Sequence, residues 1–184
     1  MSSQVEDAEI LNKFQNEKTR NEAFNLLLSK YQQKIYWHIR RMVIDHDDTD
    51  DITQDVFIKV WKNLAGFRND SQLYTWMYRI ASNECITFLN KKKQRNNVSI
   101  DDEAYDLADT LADSTYFNGD QAQRKLQEAI LTLPEKQRLV FNMKYYEDMK
   151  YEEISEVVGT SVGALKASFH LAVKKIEAIL LAQD

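Results

Sequence analysis

From Arg20 to Val43 the chain places Phe24, Leu27, Leu28, Tyr31, Ile35, Ile39, Met42 and Val43 at three- and four-residue steps. That spacing gathers apolar side chains on one face of an α-helix, whereas a strand would scatter them over both faces. A row sustained this far predicts one long amphipathic helix whose stripe must be covered by other helices. The chain has one proline and four glycines in 184 residues, few breakers for a two-sided sheet. The expected class is all-α.

Residues 6–16 carry a shorter helical pattern with Ile10, Leu11 and Phe14 on one side. The acidic run at 45–51, DHDDTDD, interrupts the apolar pattern and suits a helix N-terminus, where carboxylates cap free amides and oppose the dipole. In the helix that follows, Ile52, Val56, Val60 and Leu64 form an i, i+4 row flanked by Phe57 and Trp61, and Gly66 suits its C-terminal end. After a polar loop at 67–71, Leu73, Met77, Ala81, Cys85 and Leu89 form the buried stripe of a fourth helix, with Trp76, Ile80 and Asn83 in a neighbouring row. Tyr74, Tyr78 and Ser82 fall outside these rows and are expected to be offered to a ligand, with Lys91, Lys92, Lys93 and Arg95 following. Aromatics beside cations suit single-stranded nucleic acid, since rings stack on bases while cations follow phosphates. An amphipathic core helix with a solvated basic end explains the same residues. On these residues alone both readings stand.

Composition changes at Asn96. Residues 96–120 hold seven acidic residues and no Lys or Arg, which predicts a linker or a segment that orders on a partner, for most of its length a solvated tether. Periodicity returns at Gln121 with Leu126, Ile130 and Leu133, and Pro134 suits the first turn of the next helix. That helix runs through Leu139, Val140, Met143 and Tyr146. Residues 151–158, the turn Gly159-Thr160-Ser161 and a last helix to about Leu181 then read as helix-turn-helix. Val162, Leu165, Phe169, Ala172, Ile176 and Leu180 are its expected buried stripe. Gly163, Lys166, Ala167, His170, Leu171 and Lys174 are its expected outer face, small and cationic enough to enter a major groove. The boundaries expected are an N-terminal unit over 1–95, a linker over 96–120 and a C-terminal unit over 121–184.

The net charge is −5 and the pI about 5.3. A free-standing DNA binder is usually basic, because released counterions supply much of its affinity. An acidic chain with one local basic cluster is therefore expected to work inside a larger assembly. The single Cys85 rules out an internal disulfide and a cysteine zinc site, and its place in the helical stripe predicts a buried thiol. No signal peptide and no membrane-spanning run are seen, so the cytoplasm is the expected compartment. The aspartates of 47–51 also raise magnesium–diphosphate chemistry. Such a site wants a second acidic cluster across a large cavity, and the carboxylates of 96–120 sit on no periodic helix. His38, His46 and His170 lie far apart, and His38 and His46 are expected at the surface. Neither catalysis nor a cofactor is expected.

Three ordered stretches resemble the extracytoplasmic-function (ECF) sigma factors, the small two-domain type of bacterial RNA polymerase specificity subunit. Asp51-Ile-Thr-Gln54-Asp55-Val-Phe57-Ile-Lys-Val-Trp61 is similar to the family helix D-x-x-Q-D/E-x-F-x-x-x-W. Phe67-Arg68 followed by Thr75-Trp76-Met-Tyr78-Arg79-Ile80-Ala81-x-Asn83 resembles the −10 recognition and melting segment. Leu133-Pro134-x-x-x-Arg138, then Tyr151-Glu-Glu-Ile-Ser-Glu-x-x-Gly159-x-Ser161-Val-Gly163-x-x-Lys166, resembles the −35-binding domain. The resemblance implies a region 2-like helical bundle, an acidic linker and a region 4-like helix-turn-helix domain.

It also implies roles. Asp51, Gln54, Asp55, Phe57 and Trp61 would grip core RNA polymerase at the clamp helices of its largest subunit. Phe67, Asn69, Asp70, Ser71, Tyr74, Thr75, Trp76, Tyr78, Arg79 and Asn83 would handle the single-stranded −10 element, the loop receiving a flipped base. Lys91, Lys92 and Lys93 would hold upstream duplex phosphates. Ser161, Gly163, Lys166, Ala167, His170, Leu171 and Lys174 would meet duplex DNA at −35. Anti-sigma partners are common in the family. Members often carry Arg at the positions of Tyr74 and Ser82 and basic residues at those of Ser168, Leu171 and Val173, so shape and phosphate contact are expected to outweigh base readout at −35. The rival reading is a helix-turn-helix regulator that binds an operator by itself.

Overall fold

The computed structural model describes residues 2–96, 110–111 and 121–182. Eight α-helices are found among them: α1 (Ser2–Gln15), α2 (Arg20–Val43), α3 (His46–Asn63), α4 (Leu73–Asn96), α5 (Gln121–Leu131), α6 (Glu135–Tyr145), α7 (Tyr151–Val158) and α8 (Val162–Ala182). A 3₁₀ turn, Leu64–Gly66, closes α3. The described residues contain no strand, and the all-α expectation holds.

α2 is the axis of the N-terminal half. Its buried face carries Ala23, Leu27, Tyr31, Ile35, Ile39, Met42 and Val43, the expected row shifted so that Phe24 and Leu28 lie at its edge. Phe24 meets the Trp61 ring edge-on at 5.0 Å, and Phe14 of α1 meets Trp61 at 5.2 Å, so three helices close over one aromatic cluster. Asp7 fastens α1 to α2 by accepting from Lys30 Nζ and the Tyr31 hydroxyl, both at 2.7 Å. At the start of α3, Asp45 accepts from the Asp48 amide at 2.8 Å, the cap that the acidic run predicts.

Between α2 and α3 the backbone turns within one residue. Ile44 has φ 69° and ψ −42°, and the Asp45 amide donates to the Val43 carbonyl at 2.9 Å, the geometry of a γ-turn. A β-branched residue pays strain at positive φ. Ile44 is fully buried against Leu111 and Leu131, and this burial offsets the strain. Leu111 thus anchors the acidic segment at one point, where a solvated tether was expected; residues 97–109 and 112–120 lie outside the described residues.

In the C-terminal half α5, α6 and α8 share a core of Ala129, Ile130, Leu133, Phe141, Ala172 and Ile176. Pro134 caps α6 from one residue outside it, its carbonyl accepting from the Arg138 amide at 2.8 Å. Gly159 ends α7 with φ 69°, a left-handed cap that favours glycine. Leu139, Met143, Ile154, Val157 and Leu165 join the apolar core of the N-terminal half, and α6 packs on α2 while α7 packs on α4. The two halves are docked.

Cys85 is buried as expected, and loss of water pushes its thiol up to about 12. His38 corrects its expectation. Instead of lying at the surface it is sealed between α2 and α4, Nε2 2.9 Å from Ser82 Oγ and its ring 4.7 Å from that of Tyr78. Burial, assisted by the Arg41 cation, lowers its pKa from 6.5 to about 3. His46 is exposed as expected, at the first position of α3 beside the Tyr36 hydroxyl.

The unfolded imidazole takes up its proton near pH 6.5 and the folded one near pH 3, so His38's contribution is complete above pH 6.5 and drains as pH falls toward 3. Acidifying from pH 7 to pH 5 should therefore cost about 2 kcal/mol through this residue. Urea unfolding of wild type and His38→Gln at both pH values measures it; an equal loss in the two proteins would refute the assignment.

Candidate nucleic-acid and polymerase interfaces

α4 buries Leu73, Met77, Ala81, Cys85 and Leu89 as a continuous stripe, as expected. The Trp76, Ile80 and Asn83 row beside it lines an open cleft of about 430 Å³. Phe67, carried there by the 3₁₀ turn, forms the other side, its ring 5.3 Å from that of Trp76. Lys59 and Glu84 are ion-paired at the same cleft, which places a donor and a carboxylate beside the aromatic walls. Asn69 has φ 58°, and with Arg68 and Asp70 it forms an exposed loop tip; Ser71 is half-buried. Rings on the walls and hydrogen-bonding groups at the rim are what an unstacked base requires.

Three residues expected at this surface are elsewhere. Thr75, Tyr78 and Ser82 are buried. Tyr78 donates to Glu147 at 2.9 Å, and burial, followed by the Glu147 charge, raises its phenol pKa well above the usual range. Tyr74 is half-buried at the same seam, its phenol also raised by burial and then by Glu153 of α7. Tyr74 and Tyr78 meet the docked helix-turn-helix half on the face of α4 away from the cleft, whereas Ser82 is covered by α2 through His38. Arg79 and Asn83 remain exposed.

Among the basic residues that end α4, Lys91 is exposed, Lys92 pairs with Asp48 at 3.2 Å and Lys93 pairs with Glu135 of α6 at 2.5 Å. Asp45 and Asp48 of the acidic run are thereby engaged in capping and pairing.

On α3, Asp51, Gln54 and Asp55 share one exposed face, while Phe57 is buried and Trp61 half-buried. The two aromatics belong to the core, where they hold the helix in place. Ile58 lies on the exposed face, half exposed, and was missed. Its displacement from the Ile52, Val56 and Val60 row was the available signal.

α7, the Gly159 turn and α8 form the helix-turn-helix. Ser161, Gly163, Lys166, Ala167, His170, Leu171 and Lys174 are all exposed along one face of α8. Leu165, Ala172 and Ile176 are buried, whereas Val162, Phe169 and Leu180 are half-buried rather than sealed. Ser161 Oγ accepts from the Ala164 amide at 3.4 Å, and Lys166 Nζ lies 5.8 Å from the Tyr151 ring centre.

The family model for Sigma-70 region 2 matches residues 27–95, and that for Sigma-70 region 4 matches residues 123–176. The RNA polymerase sigma-H factor of Pseudomonas aeruginosa is 31% identical over 98% of this chain and 96% of its own length. The chain belongs to the ECF sigma factors. The ECF RNA polymerase sigma-E factor of Haemophilus influenzae is 30% identical, with 96% of each chain covered.

Region 2 of this sigma factor thus spans α2 from Leu27 onward, then α3 and α4, and region 4 runs from α5 into α8. The fold is shared with solved structures. CnrH in complex with the cytosolic domain of CnrY superposes with a TM-score of 0.68 at 20% identity, covering 98% of each chain. The sigma factor RpoE of Bartonella quintana, in complex with the anti-sigma factor NepR, gives 0.67 at 18% identity, covering 88% of this chain and 98% of that one. No helix among the described residues is long and apolar enough to cross a membrane.

The exposed and buried members of the α3 motif should separate in mutation. Asp51→Ala and Gln54→Ala are expected to hold stability within about 0.5 kcal/mol while weakening capture of core polymerase. Phe57→Ala is expected to cost about 3–5 kcal/mol of stability. Denaturant unfolding run beside a core-polymerase pull-down reads both; normal capture by Asp51→Ala and Gln54→Ala would remove that face from the interface.

Proposed function

We propose that this ECF sigma factor docks on core RNA polymerase through the exposed face of α3, around Asp51, Gln54, Asp55 and Ile58. It then receives a flipped base of the non-template −10 strand against the Phe67–Trp76 pair, in the cleft beside it, with Asn69, Asp70, Ser71 and Asn83 at the rim. The observation that carries this reading is the Phe67–Trp76 cleft, paired in one chain with the exposed α8 face of a helix-turn-helix. Unstacking one base costs a few kcal/mol, and stacking on a ring returns about 1–3 kcal/mol before edge hydrogen bonds are counted.

α8 lies in the −35 major groove, with Lys166, His170 and Lys174 reaching phosphates and base edges and Ala167 and Leu171 making apolar contacts. Lys91, exposed at the end of α4, holds upstream duplex phosphate, joined by Lys92 and Lys93 once their pairs with Asp48 and Glu135 give way. The working units are residues 1–95 and 121–184, joined by 96–120. The polymerase makes the phosphodiester bond, and this chain supplies address and melting where polymerase and chromosome meet, in the cytoplasm. One structural neighbour is bound to an anti-sigma factor and the other to the cytosolic domain of a second protein, which supports a protein inhibitor for this chain too.

Run-off transcription with core polymerase over a genomic promoter library tests the reading. Trp76→Ala should slow promoter opening about tenfold or more while polymerase affinity changes little, in keeping with one lost base stack. Equal loss of both would assign Trp76 to folding alone. Lys166→Ala should weaken the −35 footprint severalfold, and an unchanged footprint would take that residue off the DNA. Nanomolar binding of the isolated protein to duplex DNA in physiological salt would favour an operator-binding regulator instead.

A further inference from the structure

The cleft beside Phe67 and Trp76 has a charged end as well as aromatic walls. Trp76, Ile80 and Glu84 follow one another at four-residue steps on α4, and all three line it. Trp76 and Glu84 are thus a little over two turns apart, ~12 Å along the axis. Side chains on a helix lean toward its N-terminus, which brings the Glu84 carboxylate toward Ile80 and shortens that span. Ile80 is left as an apolar floor between a ring and a carboxylate. The cleft, about 430 Å³, has room for a pyrimidine or a purine.

Lys59 of α3 donates from Nζ to Glu84 Oε1, an ion pair that joins two helices at the cleft. Among the described residues no other hydrogen-bond partner is found for the Glu84 carboxylate, so Oε2 and the remaining N–H bonds of Lys59 stand side by side for a ligand. The Glu84 side chain is 22% exposed and that of Lys59 48%, so the acceptor lies deeper than the donor.

That order matters for an unpaired base. In cytosine and adenine the protruding exocyclic group is an amine, and the ring nitrogen beside it is an acceptor. In thymine and guanine the order is reversed, a carbonyl oxygen beside an N–H. The protruding group meets the deeper side chain. An amine there donates to Glu84, as carboxylates accept from the cytosine amine, while the ring nitrogen accepts from Lys59. A carbonyl there sets lone pair against lone pair and leaves the carboxylate without a donor. Asn83, at the same cleft, has an amide that can turn either way and tolerates both orders.

We propose that the Glu84–Lys59 pair is the specificity-determining element of the cleft, selecting a flipped cytosine or adenine at one position of the −10 strand and rejecting thymine and guanine. This rests on the sigma-factor reading, with the cleft as its base pocket. Lys59 holds the carboxylate in place before the base arrives, so little side-chain freedom is lost on binding. A pair this open to water adds little to stability, and substituting it spares the fold.

The test is run-off transcription by core polymerase with the full chain, over promoters randomised across the −10 element. Wild type should favour cytosine or adenine about tenfold over thymine and guanine at one position, in keeping with a two-point base contact. Glu84→Gln presents an amide that donates or accepts, and should flatten that preference to within about twofold. Glu84→Lys places a donor where the acceptor stood and should turn the preference toward thymine and guanine, which a misfolded variant would not do. Where cytosine is preferred, replacing it by pyrimidin-2-one, which lacks the amine, should cost wild type about tenfold and Glu84→Gln little. An unchanged base profile in Glu84→Gln overturns the assignment and leaves the sigma-factor reading intact, as does a wild-type preference for thymine or guanine at the position that Glu84 controls. Absence of run-off by wild type from every promoter counts against the sigma-factor reading itself and removes the base selection with it.

Discussion

The crossing of α2 on α4 carries both halves of the molecule. α2 packs against α1, α3, α4 and α6, and α4 against α2, α3 and α7, so every other helix except α5 and α8 leans on one of the two. The apolar part of that core includes Leu27, Ile35 and Ile39 from α2 and Met77, Ala81 and Cys85 from α4, all without solvent exposure. Truncating one such large side chain typically costs about 2–5 kcal/mol, against a total stability of about 5–15 kcal/mol for a domain. The polar part is the His38–Ser82 hydrogen bond, which fixes the axial register of the two helices where leucine-like contacts alone would let them slide. The register matters, because it sets Trp76 opposite Phe67 on one side of α4 and Tyr78 opposite Glu147 on the other.

Those two sides of α4 have opposite relations to water. The Trp76 side is open to solvent, with polar groups lining the cleft beside its rings. The Tyr78 side is closed by the chain itself. The aromatic face around Tyr78, left bare, would be prone to unwanted association. Covering it with the region 4 half disposes of that surface in the free protein. Across the seam Glu147 answers the charge of Arg41, and Glu153 stands at the same cavity as Lys34.

How much of this was legible from the residues differs by feature. The stripe of α4, the α2 row and the exposed face of α8 were readable, because 3.6-residue periodicity reports directly on which side of a helix is covered. Tyr74, Tyr78 and Ser82 were expected to be free for a ligand for the same reason. Periodicity identifies the stripe that packs within a bundle, and a second covered face on one helix looks like a free one. His38 misled because an imidazole one helical turn from Lys34 and beside Arg40 and Arg41 reads as surface, and its burial depends on Ser82, 44 positions away. Phe57 and Trp61 were expected to grip the polymerase, but both pack into the core, and the exposed face of α3 is left to Asp51, Gln54, Asp55 and Ile58.

The acidic net charge fits both states of the chain. In the free protein the net charge of −5 repels phosphate, although the α8 face and the Trp76 cleft are both open to solvent. On a polymerase whose surface is matched to α3, the same carboxylates at Asp51 and Asp55 become attractive, and complementary charge raises the rate of encounter more than its final affinity. Charge therefore favours an order in which polymerase is met before DNA. An isolated basic helix-turn-helix protein inverts that order, because its affinity is already spent on phosphate. The small cationic content of α8, with Lys166 and Lys174 flanking His170, follows from the same constraint. A stronger −35 helix would bind duplex DNA unaided, and the closed, acidic chain would lose the dependence on polymerase that its seam and its net charge together impose.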